Sequence, residues 1–264
     1  MSLTPIDTAL EQLMPLLPLI TGQESVLLEQ AAGRVLAGDC VSPIDVPPYR
    51  NSAMDGYALK STDLGSENIQ LKITQRIAAG EVGRQLKSGE AARIFTGAPV
   101  PEGADAVVMQ ENCKANGDVL CVLQQHIKPG ENLRQAGDDI QAGALMMAKG
   151  HRLKPQDIGL LASIGLESVN VTRRLRVSLL TTGDELVQPG TKLEAGQIYN
   201  SNYFTLQALL KGLQVEVLDC GIVADDFEGT RLALLAAAQR SDCVITTGGV
   251  SVGEEDHVKA VVEQ

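Results

Sequence analysis

The stretch Cys243-Val-Ile-Thr-Thr-Gly-Gly-Val-Ser-Val-Gly-Glu-Glu-Asp256 decides how this chain is read. Its first four residues have the pattern of a buried strand. The remainder is a glycine-rich loop studded with hydroxyls and carboxylates. Such a loop at the carboxyl end of a strand in an open α/β sheet is where ligands bind. Glycines at 248, 249 and 253 allow close backbone approach to a phosphate and expose N–H groups to it. Thr246, Thr247 and Ser251 add neutral donors.

Working outward, the same unit begins near Arg176. Val177-Ser-Leu-Leu-Thr181 reads as a strand, followed by Thr182-Gly-Asp-Glu185. Residues 200–213 have helical spacing at Tyr203, Leu206, Leu209, Leu210 and Leu213, with polar caps at Asn200 to Asn202. Val215-Glu-Val-Leu218 is the next strand. Asp225 and Asp226 precede a helix from Phe227 to Arg240, in which Leu232, Leu235 and Ala236 are expected to face a sheet. This βαβαβ order predicts a parallel sheet with right-handed crossovers. The two turns Thr181-Thr-Gly183 and Thr246-Thr-Gly248 then fall at one sheet edge and face one ligand together.

Upstream the character differs. Thr4 as cap and Pro5 at the first helical position predict a helix carrying Ile6, Leu10, Leu13 and Leu17, ended by Pro15 and Pro18. A second helical stretch is expected over about Leu27 to Leu36. Between Pro43 and Ala144, prolines and glycines punctuate short β-type runs: Leu71 to Thr74, Ala92 to Phe95, Ala106 to Met109 and Leu120 to Leu123. Closely spaced short strands predict a small barrel or roll. Residues 143–171 read as a mixed connector. The expected fold is therefore multidomain, α+β and α/β. A helical and linker segment (1–45 with 141–175) and a β-rich, barrel-like domain (46–140) precede an incomplete doubly wound α/β domain (176–264).

Composition bounds the function. The chain has 264 residues, 44% hydrophobic but only 3% aromatic and without Trp, so its core rests on aliphatic side chains. A net charge of −11 argues against a nucleic-acid or membrane-surface partner. A small anionic substrate stays compatible, since backbone N–H groups and metal ions can hold it. Five scattered cysteines and three scattered histidines show no zinc spacing, which fits a reducing, cytoplasmic setting. No signal peptide is recognisable, and no apolar run approaches the ~20 residues of a membrane span.

Glu185, Asp225 and Asp256 sit at strand ends or helix starts of the anion-facing edge. Carboxylates beside an anionic ligand call for a bridging divalent ion such as Mg²⁺. Either Asp225 or Asp226 can instead cap the following helix. Three further loops are dense in polar function: Pro47-Pro-Tyr-Arg-Asn-Ser-Ala-Met-Asp-Gly-Tyr57 with Asp55, Phe95 to Asp105 with Thr96, and Gly130 to Asp139 with Arg134 and Asp138.

Taken in order, Pro47 to Ala58, Phe95 to Val108, Gly130 to Ile140, Leu180-Thr-Thr-Gly-Asp-Glu-Leu186 and Thr246 to Asp256 resemble the motif set of the MoeA family, the molybdopterin molybdenumtransferases, whose module also forms the C-terminal part of gephyrin. The resemblance implies a reaction that inserts molybdenum from molybdate into adenylylated molybdopterin, with Mg²⁺-dependent release of AMP. It implies a homodimer whose cleft lies between one subunit's β-rich domain and the other's α/β domain. It also implies a molybdopterin adenylyltransferase acting upstream. The functional positions it marks are Asp55, Thr96, Asp138, Glu185, Asp225 and Asp256, with Glu185 and Asp225 toward the metal. Thr182, Gly248, Gly249, Ser251, Gly253 and Arg134 belong to substrate binding. Family members run to about 400 residues, so molybdate-binding lysines and arginines are expected beyond residue 264, and this chain alone is expected to be inactive. The alternative readings are a molybdopterin adenylyltransferase, which shares the Thr-Thr-Gly-Gly-Val-Ser motif, and a gephyrin-like scaffold.

Overall fold

The computed structural model describes residues 4–65, 70–124, 126–248 and 257–263. The chain divides into two compact units, 27–32 with 38–169, and 1–26 with 33–37 and 170–264.

The first unit is built on a six-stranded mixed sheet. Its strands are β1 (Gly56–Leu59), β2 (Gln70–Ile77), β3 (Glu90–Ile94), β4 (Ala106–Met109), β5 (Cys113–Asn116) and β6 (Val119–Val122). Their order is β4-β1-β3-β2-β6-β5, antiparallel except for β2 beside β3. Successive residues of a strand point to opposite faces, and here both faces are apolar. Ala58, Ile77, Ala92, Ile94 and Val107 pack in one cluster with Leu86, Ala98 and Ala104. Their chain neighbours Leu59, Ala91 and Val108 pack in another with Leu64, Leu71 and Leu120. Alternation therefore does not read as apolar and polar, but as two aliphatic layers.

Residues 143–171 are more than a connector. Leu145–Met147 pairs with Cys40–Val41, and a helix α2 (Pro155–Ser163) follows, the next after α1 (Ile6–Leu13) that is longer than one turn. The sequence reading passed over the start of α2, although it carries a local signal: Pro155 occupies the first turn and Asp157 accepts the Lys154 N–H at 2.8 Å. The expected helix over 27–36 shrinks to one turn, Leu28–Ala31: Ala32 already has an extended ψ of 130°, and Gly33 follows with a left-handed φ of 79°.

The second unit carries α1. Its cap is Pro5 and not Thr4, no side chain caps it, and a 3₁₀ turn at Met14–Leu16 containing Pro15 follows it. Strands β7 (Arg176–Thr182), β8 (Glu216–Val223) and β9 (Cys243–Thr247) form the parallel sheet in the order β8-β7-β9. Helices α3 (Ser201–Gly212) and α4 (Phe227–Arg240) are the crossovers. The central strand β7 is buried from Val177 to Thr182, as a strand covered on both faces must be. Strand β9 is less covered than expected: Cys243 is exposed and the next four residues are half-buried.

The inward face of α4 differs from the expectation. Leu232, Leu235 and Ala236 are exposed, while Thr230 and Ala237 are buried. Small side chains let the helix approach the sheet so closely that Ser178 Oγ lies 3.5 Å from the Ala237 carbonyl. A leucine stripe fixes a helical period but does not say which stripe faces inward.

Candidate functional site

The candidate residues divide between the two units, and each group has its own geometry. In the first unit three loops meet at Asn51 and Ser52. These residues pair antiparallel with Leu133 and Arg134. Ser52 N–H donates to the Ala98 carbonyl at 3.0 Å, Gly97 N–H to the Ser52 carbonyl at 2.9 Å, and Ala53 N–H to the Asn132 carbonyl at 2.9 Å. Backbone bonds thus tie together the loops that carry Asp55, Thr96 and Arg134.

Asp55 Oδ1 accepts both the N–H and the hydroxyl of Thr96, each at 2.8 Å. These bonds, the backbone one foremost, together with the Arg93 charge, hold the Asp55 carboxyl below the usual carboxylate range. Arg93 itself stacks over Phe95 at 4.8 Å and Tyr57 at 5.2 Å. Gly56 is required next to Asp55: a Cβ there would meet the Val108 carbonyl oxygen at 2.0 Å. Arg134 pairs with Asp139. Asp138 is exposed, and its Oδ2 accepts the Gln135 N–H at 2.7 Å, closing a turn. One group was missed from sequence: Asn51 is 7% exposed, and its Oδ1 has no partner among the described residues.

In the second unit the two Thr-Thr-Gly turns lie side by side. Thr181 is in register with Thr247, and a Cβ on Gly248 (φ 89°) would meet the Thr182 carbonyl oxygen at 2.7 Å. A cleft of about 140 Å³ opens there, lined by Thr182, Glu185, Asn200, Ser201, Asn202, Thr247 and Gly248, among others. That volume far exceeds the roughly 10–15 Å³ one water requires.

Asp226, and not Asp225, caps α4, accepting the Gly229 N–H at 2.7 Å. Asp225 is instead locked to Asp184: each carboxylate accepts the other's backbone N–H, at 3.1 and 3.2 Å. Asp225 lies outside the cleft lining that contains Glu185. Among the described residues no three His, Cys, Asp or Glu side chains form a metal-binding group. Gly249, Ser251, Gly253 and Asp256 lie outside the described residues.

Residues 4–165 match the MoeA N-terminal region, domains I and II. The chain belongs to the MoeA family. Residues 178–264 further match the probable molybdopterin binding domain. The chain is 42% identical over 260 residues to the molybdopterin molybdenumtransferase of Haemophilus influenzae, covering 98% of this chain and 64% of that protein. For the enzyme of the same name from Nostoc the identity is 38%, covering 97% and 60%. The crystal structure of a MoeA molybdopterin biosynthesis protein from Pyrococcus horikoshii superposes with a TM-score of 0.84 at 33% identity, over 99% of this chain and 66% of that one. The chain thus spans about three fifths of the length of these curated MoeA relatives.

Proposed function

We propose that the protein to which this chain belongs inserts molybdenum from molybdate into adenylylated molybdopterin, releasing AMP. The observation that carries the reading is the pair of adjoining Thr-Thr-Gly turns at the carboxyl edge of a parallel sheet, in a chain of the MoeA family. Loops of this kind hold anionic ligands through backbone N–H groups. Enzymes named molybdopterin molybdenumtransferase at 34–42% identity support the same reaction.

In this reading the Thr182 and Gly248 edge holds the pterin phosphate, with Gly249, Ser251 and Gly253 extending it. Asp55, fixed by Thr96, keeps a negative charge down to low pH. It acts as an acceptor toward the substrate, while Arg134 contributes positive charge and Asp138 orients its turn. Asp256 positions the nucleotide. Attack of a molybdate oxygen on the adenylate phosphorus would break the phosphoanhydride, with the pterin phosphate as leaving group, and form an adenylyl–molybdate; displacement at molybdenum by the dithiolene sulfurs would then release AMP and deliver the metal. Glu185 lines the cleft, and Asp225 keeps one oxygen free of the Asp184 pairing. Both are hard oxygen donors of the kind that holds Mg²⁺ together with substrate phosphates. When bound, that ion would neutralise phosphate charge. The same reading makes the protein a cytoplasmic homodimer served by a molybdopterin adenylyltransferase.

The test is AMP release from adenylylated molybdopterin by the full-length protein, with and without molybdate. Molybdate-dependent release is expected. Release without molybdate dependence, or none, overturns the reading. Asp55→Asn should lower the rate by at least ~100-fold with the fold intact. A wild-type rate removes Asp55 from the site.

A further inference from the structure

We propose that the first turn of α3, together with the Thr182 hydroxyl, forms the seat of a tetrahedral oxyanion in the cleft. This goes beyond the strand-end loops to residues outside them, and it rests on the reading that the cleft takes an anionic pterin substrate.

Three observations carry it. The first is the helix start. The first N–H groups of a helix have no acceptor within it. Here Asn200 caps only the third, Tyr203 N–H, through Oδ1 at 3.3 Å. Ser201 and Asn202, whose N–H groups stay open among the described residues, both line the cleft. The second is an unsatisfied hydroxyl. Thr182 is 6% exposed, lines the same cleft, and its buried Oγ1 has no partner among the described residues. That oxygen faces the Gly248 wall, where a Cβ would lie 2.8 Å away. A buried hydroxyl without a partner is costly, and most find one in the protein or in a ligand.

The third is the rigidity of the frame. Asn200, 2% exposed, donates from Nδ2 to Thr181 Oγ1 at 3.0 Å, and Thr181 Oγ1 donates to the Gly221 carbonyl at 3.1 Å. Asn200 and Thr181 are thereby positioning residues that fix the helix start against β7 and β8. The helix dipole adds positive potential at that end. Glu185 lines the cleft as well and opposes an anion. An anion is therefore held by the helix-start N–H groups and the Thr182 hydroxyl, with the carboxylate left for a cation.

A phosphate monoester and molybdate share this shape and charge. The experiment titrates inorganic phosphate, and separately molybdate, into the ¹⁵N-labelled chain at pH 8. Saturable shifts of the Ser201 and Asn202 amides are expected. Thr182→Val should weaken binding by ~tenfold, with Thr182→Ser restoring it. Ser201→Pro removes one donor at a helical position that tolerates proline, and should weaken binding comparably. Thr182→Val should also melt no lower than the parent without anion, since it replaces an unpartnered hydroxyl by a methyl. Binding of phosphate assigns the seat to the pterin ester, and binding of molybdate alone assigns it to the metal oxyanion. No shift at these amides with either ion, or full affinity in Thr182→Val, overturns the proposal. The titration needs no turnover, so its outcome separates this seat from the insertion reaction.

Discussion

A single oxygen of Asp55 accepting two bonds from Thr96 gives the clearest chemistry at the residue scale. Bonds that favour the charged form lower a carboxyl pKa. Removing one of them in Thr96→Val should raise the Asp55 pKa toward the ordinary value, as measured by carboxyl ¹³C shifts against pH. An unchanged value would assign the whole effect to the backbone donor and Arg93. A carboxylate depressed in this way contributes stability above its unfolded pKa and loses that contribution as pH falls through the folded value. Gly56 makes a separate prediction. Its missing side chain is dictated by the Val108 carbonyl across the β1–β4 pair. Gly56→Ala should destabilise the chain by about 3 kcal/mol or more in urea unfolding. The sequence offered Asp55 within a polar loop, but only the sheet shows why the residue after it must be glycine.

The division of labour between Asp225 and Asp226 is decided at the scale of elements. Adjacent aspartates before a helix are equivalent in sequence. In the structure Asp226 has extended φ and ψ and caps α4, while Asp225 reaches across to Asp184. Asp226→Ala should therefore cost about 1 kcal/mol of stability. Asp225→Asn should leave the cap intact and act on metal insertion. Equal destabilisation by both would contradict this assignment. Asp242, at the entry to β9, is the other element-scale case. Arg173 holds it bidentately at 2.6 Å and the Arg176 N–H adds a third bond, so its pKa falls to about 2. Its contribution is complete above about pH 4 and disappears as the pH drops toward 2. Asp242→Asn should flatten the stability profile in that window, read by urea denaturation at stepped pH.

At the scale of the whole molecule, the proposed homodimer is open to direct measurement. Sedimentation of the full-length protein at micromolar concentration should give a dimer, and an active monomer would overturn that proposal. Large aliphatic residues remain exposed in this chain, including Leu209 and Leu213 at the end of α3 and Leu232 and Leu235 on α4. Among the described residues no helix is long and apolar enough to cross a membrane.

Sequence by itself determined the order of elements in the α/β unit, the bounds of α4, and the two Thr-Thr-Gly turns as one edge. Hydrophobic period and glycine punctuation are local signals, and each of these features is local. It also singled out Asp55, Thr96 and Glu185 by their polar loops. Tertiary structure alone decided which stripe of α4 faces the sheet and which aspartate caps it. It also placed Asn200 to Asn202 beside Thr182, 18 to 20 residues away in the chain. Those outcomes depend on how closely two backbones approach and on which buried hydroxyls find partners, and neither is encoded in the spacing of residues along one strand or helix.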